Sequence, residues 1–369
     1  MSQRQLPVKR KDSAYLWFSS LLSLFFVAAT QAFLLYAFLG GILAGDAILI
    51  TAYGLASLLF LWMTGSVYLA LPLNLYFHSK YRSDSNYARV DMVHRRVLKL
   101  LKAAPFRRHL AIAVSISNLG ILRLCQGYYD SAADLFTEAE SYLKSTRGTI
   151  RDMSMIIFYN NLAVAYLRQN KCIEAELIGT KALEIAEQAQ MQKKYKKLSG
   201  PPLSVLAAAS LRLNDLDRSM EYAKKALEIY ENAPVPSGYT ESSFVQARVF
   251  CLFGMAACCL KQDKEKDGIE YYEQGMKFCR QSPQLLTTLA LEPLNLLSNE
   301  LMNRKQFERA EELLELAYKI GHDNPYHPDA KQSLNYFEKL LLLTQRNEEI
   351  SDMRSWLRMP ASRLIAEKK

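Results

Sequence analysis

The sequence predicts an all-α protein: a two-helix transmembrane hairpin followed by an α-solenoid of about six helix-turn-helix repeats. Two observations carry that reading. Residues 15–77 contain one charged side chain, Asp46, which ordinary globular composition does not produce. Beyond residue 112, pairs of small residues seven apart recur every 40 to 49 residues inside stretches of helical periodicity. The charge distribution removes one function class. The formal net charge of +9 divides into +3 over 1–14, −1 over 15–77, +7 over 78–112 and zero over 113–369. The basic excess thus flanks the apolar segment instead of covering the large remainder, and nucleic acid is not an expected partner.

Residues 1–14 form a basic tail with Arg4, Lys9, Arg10 and Lys11. The run 15–39 is long enough, at about 1.5 Å per residue, for a hydrocarbon core of roughly 30 Å. It also exceeds the roughly 7 to 15 apolar residues of a signal peptide. The Gly-rich 40–46 is read as a loop, because Asp46 at a helix centre would cost about 2.5–3.5 kcal/mol on insertion scales. A second helix over 47–71 ends before Pro72. With cations before the first helix and nine more between Lys80 and Arg108, the prediction is an integral membrane protein. Both termini and the repeat domain would be cytoplasmic. Segment 78–112 reads as a basic helix with Val90, Val93, Val97, Leu98 and Leu101 on one side. It either contacts anionic lipid or caps the repeats.

The repeat occupies 113–364, with units starting near 113, 156, 200, 249, 291 and 331, and leaves a tail at 365–369. The small pairs are Ala132/Ala139, Ala175/Ala182, Ser219/Ala226, Gly268/Gly275 and Ala310/Ala317, with a degenerate Ile350/Leu357. Twelve residues before each stand Gly120, Ala163, Ala207, Ala256, Ser298 and Glu338, each after a large apolar residue. Small residues let two helix axes approach closely while large neighbours fill the groove, so each unit is two antiparallel helices. Gly127, Asn170, Asn214, Asp263, Lys305 and Gln345 mark the turns between them. A coiled coil is excluded, because the apolar period breaks at every turn. The six cysteines form no CxxC pair and sit in apolar helical contexts, as free thiols in a reducing compartment do.

These residues resemble the tetratricopeptide repeat. Asn118-Leu119-Gly120 through Gly127-Tyr128-Tyr129, Ala132, Phe136 and Ala139 follow its pattern, as do Asn161-Leu162-Ala163, Tyr166, Ala175 and Ala182. Residues 219–230 and 307–318 look like its second helix. The spacing of about 42, with Asn160-Asn161-Leu162-Ala163 and His327-Pro328-Asp329-Ala330, is similar to the longer repeats of kinesin light chains. Gly179, Gly268 and Gly275 depart from the pattern and weaken their helices. The sixth unit keeps only the framework, with Trp356 as a terminal cap.

The resemblance implies a concave groove, lined by first helices, that holds a protein or extended peptide. Asn160, Asn161, Asn295, Asn299 and Asn335 offer amides to a peptide backbone; interior hydrogen bonding between helices is the other role open to them. Arg168, Arg212 and Lys261 end three successive first helices, either as a ladder for an acidic peptide or as cations favoured by the helix dipole. The family's carboxylate clamp is not carried over, since Ser117 and Ile121 stand where it needs Lys and Asn. No phosphate loop, dinucleotide turn, HExxH or Gly-x-Ser-x-Gly occurs, so no catalytic residue, cofactor or metal is expected. His322, Asp323, His327 and Asp329 approach a metal cluster most nearly, and the resemblance reads their loop as a connector. The basic run 193–197 reads as a solvated face, with an RNA or lipid contact as the other role open to it. The expected function is a membrane-anchored adaptor; the alternative is a regulator that responds to a ligand or peptide.

Overall fold

The computed structural model describes residues 29–57 (except 41, 44, 46 and 49), 87–103, 109–145, 149–191, 198–232, 241–322 and 327–350. Every regular element among them is helical. The chain divides into two compact units, one of 1–81 with 86–115, the other of 82–85 with 116–369.

In the first unit the described residues 29–40, 42–43, 47–48 and 50–57 of the apolar segment are helical. Among the described residues no helix is long and apolar enough to cross a membrane. The expected integral-membrane localisation, with both termini and the repeats cytoplasmic, is overturned on that finding. The lipid contact expected of 78–112 is not supported. Residues 1–14, 15–28 and 58–71 of the predicted tail and hairpin lie outside the described residues, as do 78–86 and 104–108. Within 78–112 stands α1 (Tyr87–Ala103), which buries Val97 and Leu101.

The second unit is an all-helical solenoid of the tetratricopeptide type. It runs from the end of α2 (His109–Cys125) through α3 (Tyr129–Lys144), α4 (Thr149–Arg168), α5 (Cys172–Met191), α6 (Gly200–Arg212) and α7 (Leu216–Asn232). It continues with α8 (Glu241–Lys261), α9 (Glu265–Gln281), α10 (Leu291–Asn303), α11 (Phe307–His322) and α12 (Pro328–Leu343). Two short 3-10 turns, Pro283–Leu285 and Thr288–Ala290, join α9 to α10. Even-numbered helices from α2 to α12 are the first helices of their units. The sixth unit turns at Gln345 and begins a further helix at 347–350; Trp356 and Leu357 lie outside the described residues.

Every first helix ends the same way. Gly127, Asn170, Asn214, Asp263, Lys305 and Gln345 all adopt positive φ, between 60° and 79°. At each, the next amide reaches back to the carbonyl five residues earlier, as in Tyr128 N to Arg123 O (2.9 Å) and Lys305's neighbour Gln306 N to Leu301 O (2.9 Å). These are Schellman caps, which satisfy carbonyls that the helix end would leave bare. Only one of the six is glycine, so five units accept the left-handed region with a side chain.

The small pairs lie where helices cross. Ala132, Ala139, Ala175, Ala182, Ala226, Ala310 and Ala317 are fully buried. Ser219 joins α7 to α6 by donating to the Ala207 carbonyl (2.8 Å). At Gly120 a Cβ would stand 2.7 Å from Phe136 Cε1, and at Gly275 2.3 Å from Phe253 Cε1. Both phenylalanines are buried against those glycines, so the size alternation is steric complementarity between first and second helices.

Candidate functional site

Four charges sit at four helix ends. Arg168 and Arg212 lie in the last turns of α4 and α6, and Glu292 and Asp329 in the first turns of α10 and α12. Each sign suits its own helix dipole, so each is locally favourable before it meets a partner. Local sequence also starts α12 sharply: His327 is the N-cap, its Nδ1 accepting from Asp329 N (3.2 Å), and Pro328 follows at the first helical position.

The solenoid brings these ends together across 80 to 161 residues of sequence. Arg168 NH1 lies 2.5 Å from Asp329 Oδ2 and 3.1 Å from Glu292 Oε2, and Arg168 NH2 donates to the Leu289 carbonyl at 2.9 Å. Arg212 NH1 donates to the Leu167 carbonyl (2.7 Å), and its NH2 pairs with Glu292 Oε1. Tyr129, the first residue of α3, donates to Asp329 Oδ2 at 3.1 Å. The Arg168 side chain is 4% exposed and that of Arg212 22%. Two guanidiniums and two carboxylates therefore form a neutral, nearly dry cluster, in which pairing outweighs the cost of burial only because the geometry is close.

More of the seam lies alongside. Thr288 Oγ1 donates to the Cys125 carbonyl (3.2 Å), and the Tyr129 and His327 rings meet edge to face with centroids 6.2 Å apart. Gly127 has no room for a side chain, since a Cβ there would stand 2.2 Å from Pro328 Cδ. The ends of α2, α4 and α6 thus abut the starts of α10 and α12 and the turn before them.

The cluster shifts the groups within it. Burial lowers the Arg168 affinity for its proton, but Glu292 and Asp329 outweigh it and the net direction is up. Burial raises the Tyr129 phenol, with Asp329 adding to it and Arg168 opposing. Burial pushes His327 below the usual imidazole value, and Arg168 adds to that while Asp329 opposes it. Elsewhere burial pushes the thiols of Cys251 and Cys279 up to about 12, which leaves them protonated and inert.

Beside the cluster is a small pocket between α6, α8 and α10, lined by Ala208, Leu211, Phe250, Gly254, Pro293 and Leu296 and bordered by Arg212 and Glu292. Its free space of about 20 Å³ matches one water.

The residues singled out in sequence fall into three groups. Arg168 and Arg212 are in the cluster, and Lys261 is exposed outside it. Asn295, 1% exposed, donates to the Asp329 carbonyl (2.9 Å) and accepts from Ser333 Oγ (2.7 Å), tying α10 to α12. Asn160 is 9% exposed with no partner for its Oδ1 among the described residues. Asn161 is half-buried, Asn335 is exposed, and half-buried Asn299 accepts from Lys339 Nζ at 3.5 Å. Sequence reasoning missed Glu292 and Tyr129 as site residues, and placed Asp329 in the repeat pattern and its connector loop. For the two carboxylates the one local signal is an acidic residue in the first turn of a first helix. Among the described residues no group of three or more His, Cys, Asp or Glu is arranged to hold a metal; Asp323 lies outside them.

A tetratricopeptide repeat family model matches residues 158–189, the second half of α4 and most of α5. No curated protein matches the chain in sequence. Among solved structures, NprR in complex with its cognate peptide NprX is similar at 14% identity and a TM-score of 0.54, covering 88% of this chain and 86% of that one. A Rap protein complexed with competence and sporulation factor is similar at 10% identity and 0.53, covering 89% and 91%. A kinesin light chain repeat protein from Podosopora anserina, 17% identical, covers 59% of this chain and 98% of its own at 0.39, too low for an argument to rest on it. At such identities the likeness is one of fold.

Proposed function

We propose that this chain is a non-catalytic interaction module whose inner helix face holds an extended segment of another polypeptide. The observation that carries the reading is the solenoid of α2 to α12 itself. A stack of this kind buries its apolar stripes between neighbours and leaves the first-helix faces as one continuous surface. Two proteins that share its fold are recorded with a peptide or factor bound, which supports the same use here. Half-buried side chains recur on those helices at one-turn spacing: Asn161 and Val164 on α4, Phe250 and Gly254 on α8, Leu296 and Asn299 on α10. Amides among small apolar contacts suit a backbone held without strict reading of its side chains.

Panning a random peptide library on the immobilised full chain tests this. A consensus sequence is expected to emerge and to bind an Asn161→Ala/Asn299→Ala variant several-fold more weakly, at roughly a factor of 2 to 10 per lost hydrogen bond. No enrichment, or binding untouched in a variant that melts like the parent, rejects the reading. A second reading is a regulator that answers its ligand with a change of curvature. The seam favours it, because α4 and α6 are joined there to α10 and α12 across the inner face.

A further inference from the structure

We infer that the buried charge cluster is a latch: Arg168, Arg212, Glu292, Asp329 and Tyr129 hold the inner face closed, and a polypeptide segment enters only when Arg212 parts from Glu292. The inference rests on the peptide-binding reading and adds its regulation.

Three features of the cluster make it a latch and not only a brace. The first is what it joins. Apart from Arg212 to the Leu167 carbonyl, its bonds run between residues 80 to 200 positions apart, so they fix the curvature of the stack more than the packing of neighbours. Apart from the Gly127–Pro328 and Tyr129–His327 contacts, the seam contacts described above are polar. Such a seam releases without exposing a large apolar area.

The second is its gradation. Arg168 has three partners and is almost wholly buried, whereas Arg212 has two and is one-fifth exposed. Water can take over from Glu292 at Arg212, while Arg168 stays bonded to both carboxylates. The network is also incompletely satisfied, since Arg168 Nε and, beside it, Gln169 Oε1 are buried without partners among the described residues. A network that served rigidity alone would leave fewer such groups, because each forfeits its hydration for no bond.

The third is position. Arg212 and Glu292 border the pocket of Ala208, Leu211, Phe250, Gly254, Pro293 and Leu296. Room for a single water admits no side chain, so the closed form is a form without ligand at that place. Separating the pair widens an apolar recess that lies on three consecutive first helices.

Hydrogen exchange of the full chain tests the latch, read at 125–129, 167–171, 287–291 and 327–331, with α7 and α9 as internal controls. Arg212→Gln is expected to speed exchange at 167–171 and 287–291 by about tenfold and leave the controls unchanged. Glu292→Gln/Asp329→Asn extends the effect to the other two segments. If the double variant fails to fold, Arg212→Gln alone decides. Exchange at parental rates in all four segments overturns the latch, and so does equal acceleration of α7 and α9, which would make the cluster a support of the whole fold. This readout needs no ligand, so a seam that opens in a chain that enriches no peptide rejects the peptide reading and keeps the latch. For any enriched peptide, Glu292→Gln is expected to tighten binding about tenfold, because the closed population no longer competes. Affinity unchanged or weakened in both Glu292→Gln and Arg212→Gln overturns the autoinhibition.

Discussion

Replacing Arg168 by methionine keeps the bulk of the side chain and removes its charge. The side chain is 4% exposed and lies 2.5 Å from Asp329 and 3.1 Å from Glu292. Breaking a buried pair by removing one partner costs about 3–5 kcal/mol, chiefly through the charge left behind. Glu292 retains Arg212, so one carboxylate, Asp329, is stranded with only the Tyr129 hydroxyl and the α12 dipole. That places the expected loss near the lower end, about 3 kcal/mol. Adding Asp329→Asn removes the stranded charge and is expected to recover about 2 kcal/mol, a coupling of the size seen for residues in direct contact. Urea titration followed by far-ultraviolet circular dichroism at neutral pH measures both. A loss below about 1 kcal/mol would put the cluster with solvent-screened surface pairs and refute the burial argument. A double variant no more stable than Arg168→Met would refute the identification of Asp329 as the stranded partner.

Three further outcomes are expected. Lys305→Gly relieves a side chain held at φ 60° and should stabilise by about 0.5–1 kcal/mol, whereas Gly127→Ala, at φ 79° and facing Pro328, should destabilise by about 1–3 kcal/mol; thermal melts give both signs. Gly275→Ala gains roughly 1 kcal/mol of helix propensity but drives a methyl into Phe253, so a net loss in urea midpoint is expected. His327 is held neutral by burial, so its folded pKa lies below its unfolded one and the unfolded chain takes up the proton first. Stability is therefore expected to fall as pH drops below about 6.5, and in His327→Gln the pH dependence of the urea midpoint across that window should flatten.

What was legible in the sequence was whatever repeats locally. The small pairs and the six turn positions follow from the geometry of one hairpin, and Gly127, Asn170, Asn214, Asp263, Lys305 and Gln345 do occupy the left-handed turn. The seam was not legible, because no period connects Arg168 to a partner 161 residues away. Its position on α4 revealed a cation at a helix end, and nothing local distinguishes a cation facing a ligand from one facing another helix. The asparagines divide for the same reason: Asn295 is drawn into the contact of α10 with α12, while Asn335, on the next first helix, stays exposed. Apolar composition misled in another way. It predicted spans of 15–39 and 47–71, and no helix among the described residues is long and apolar enough to cross a membrane.

The joined ends change how such a chain comes apart and how it is made. An open stack frays from its termini, one unit at a time, and its folding can begin anywhere and spread. Here the first two units touch the last two through Tyr129, Arg168, Glu292 and Asp329, so no terminal unit is free to peel away alone. Contacts of such long sequence separation slow the final step of folding. During synthesis, Arg168 emerges well before Glu292 and Asp329 exist to receive it, and the early units wait with an unpaired cation at their edge until the fifth and sixth units arrive. The repeat is modular in its pattern, but its completion is a single event.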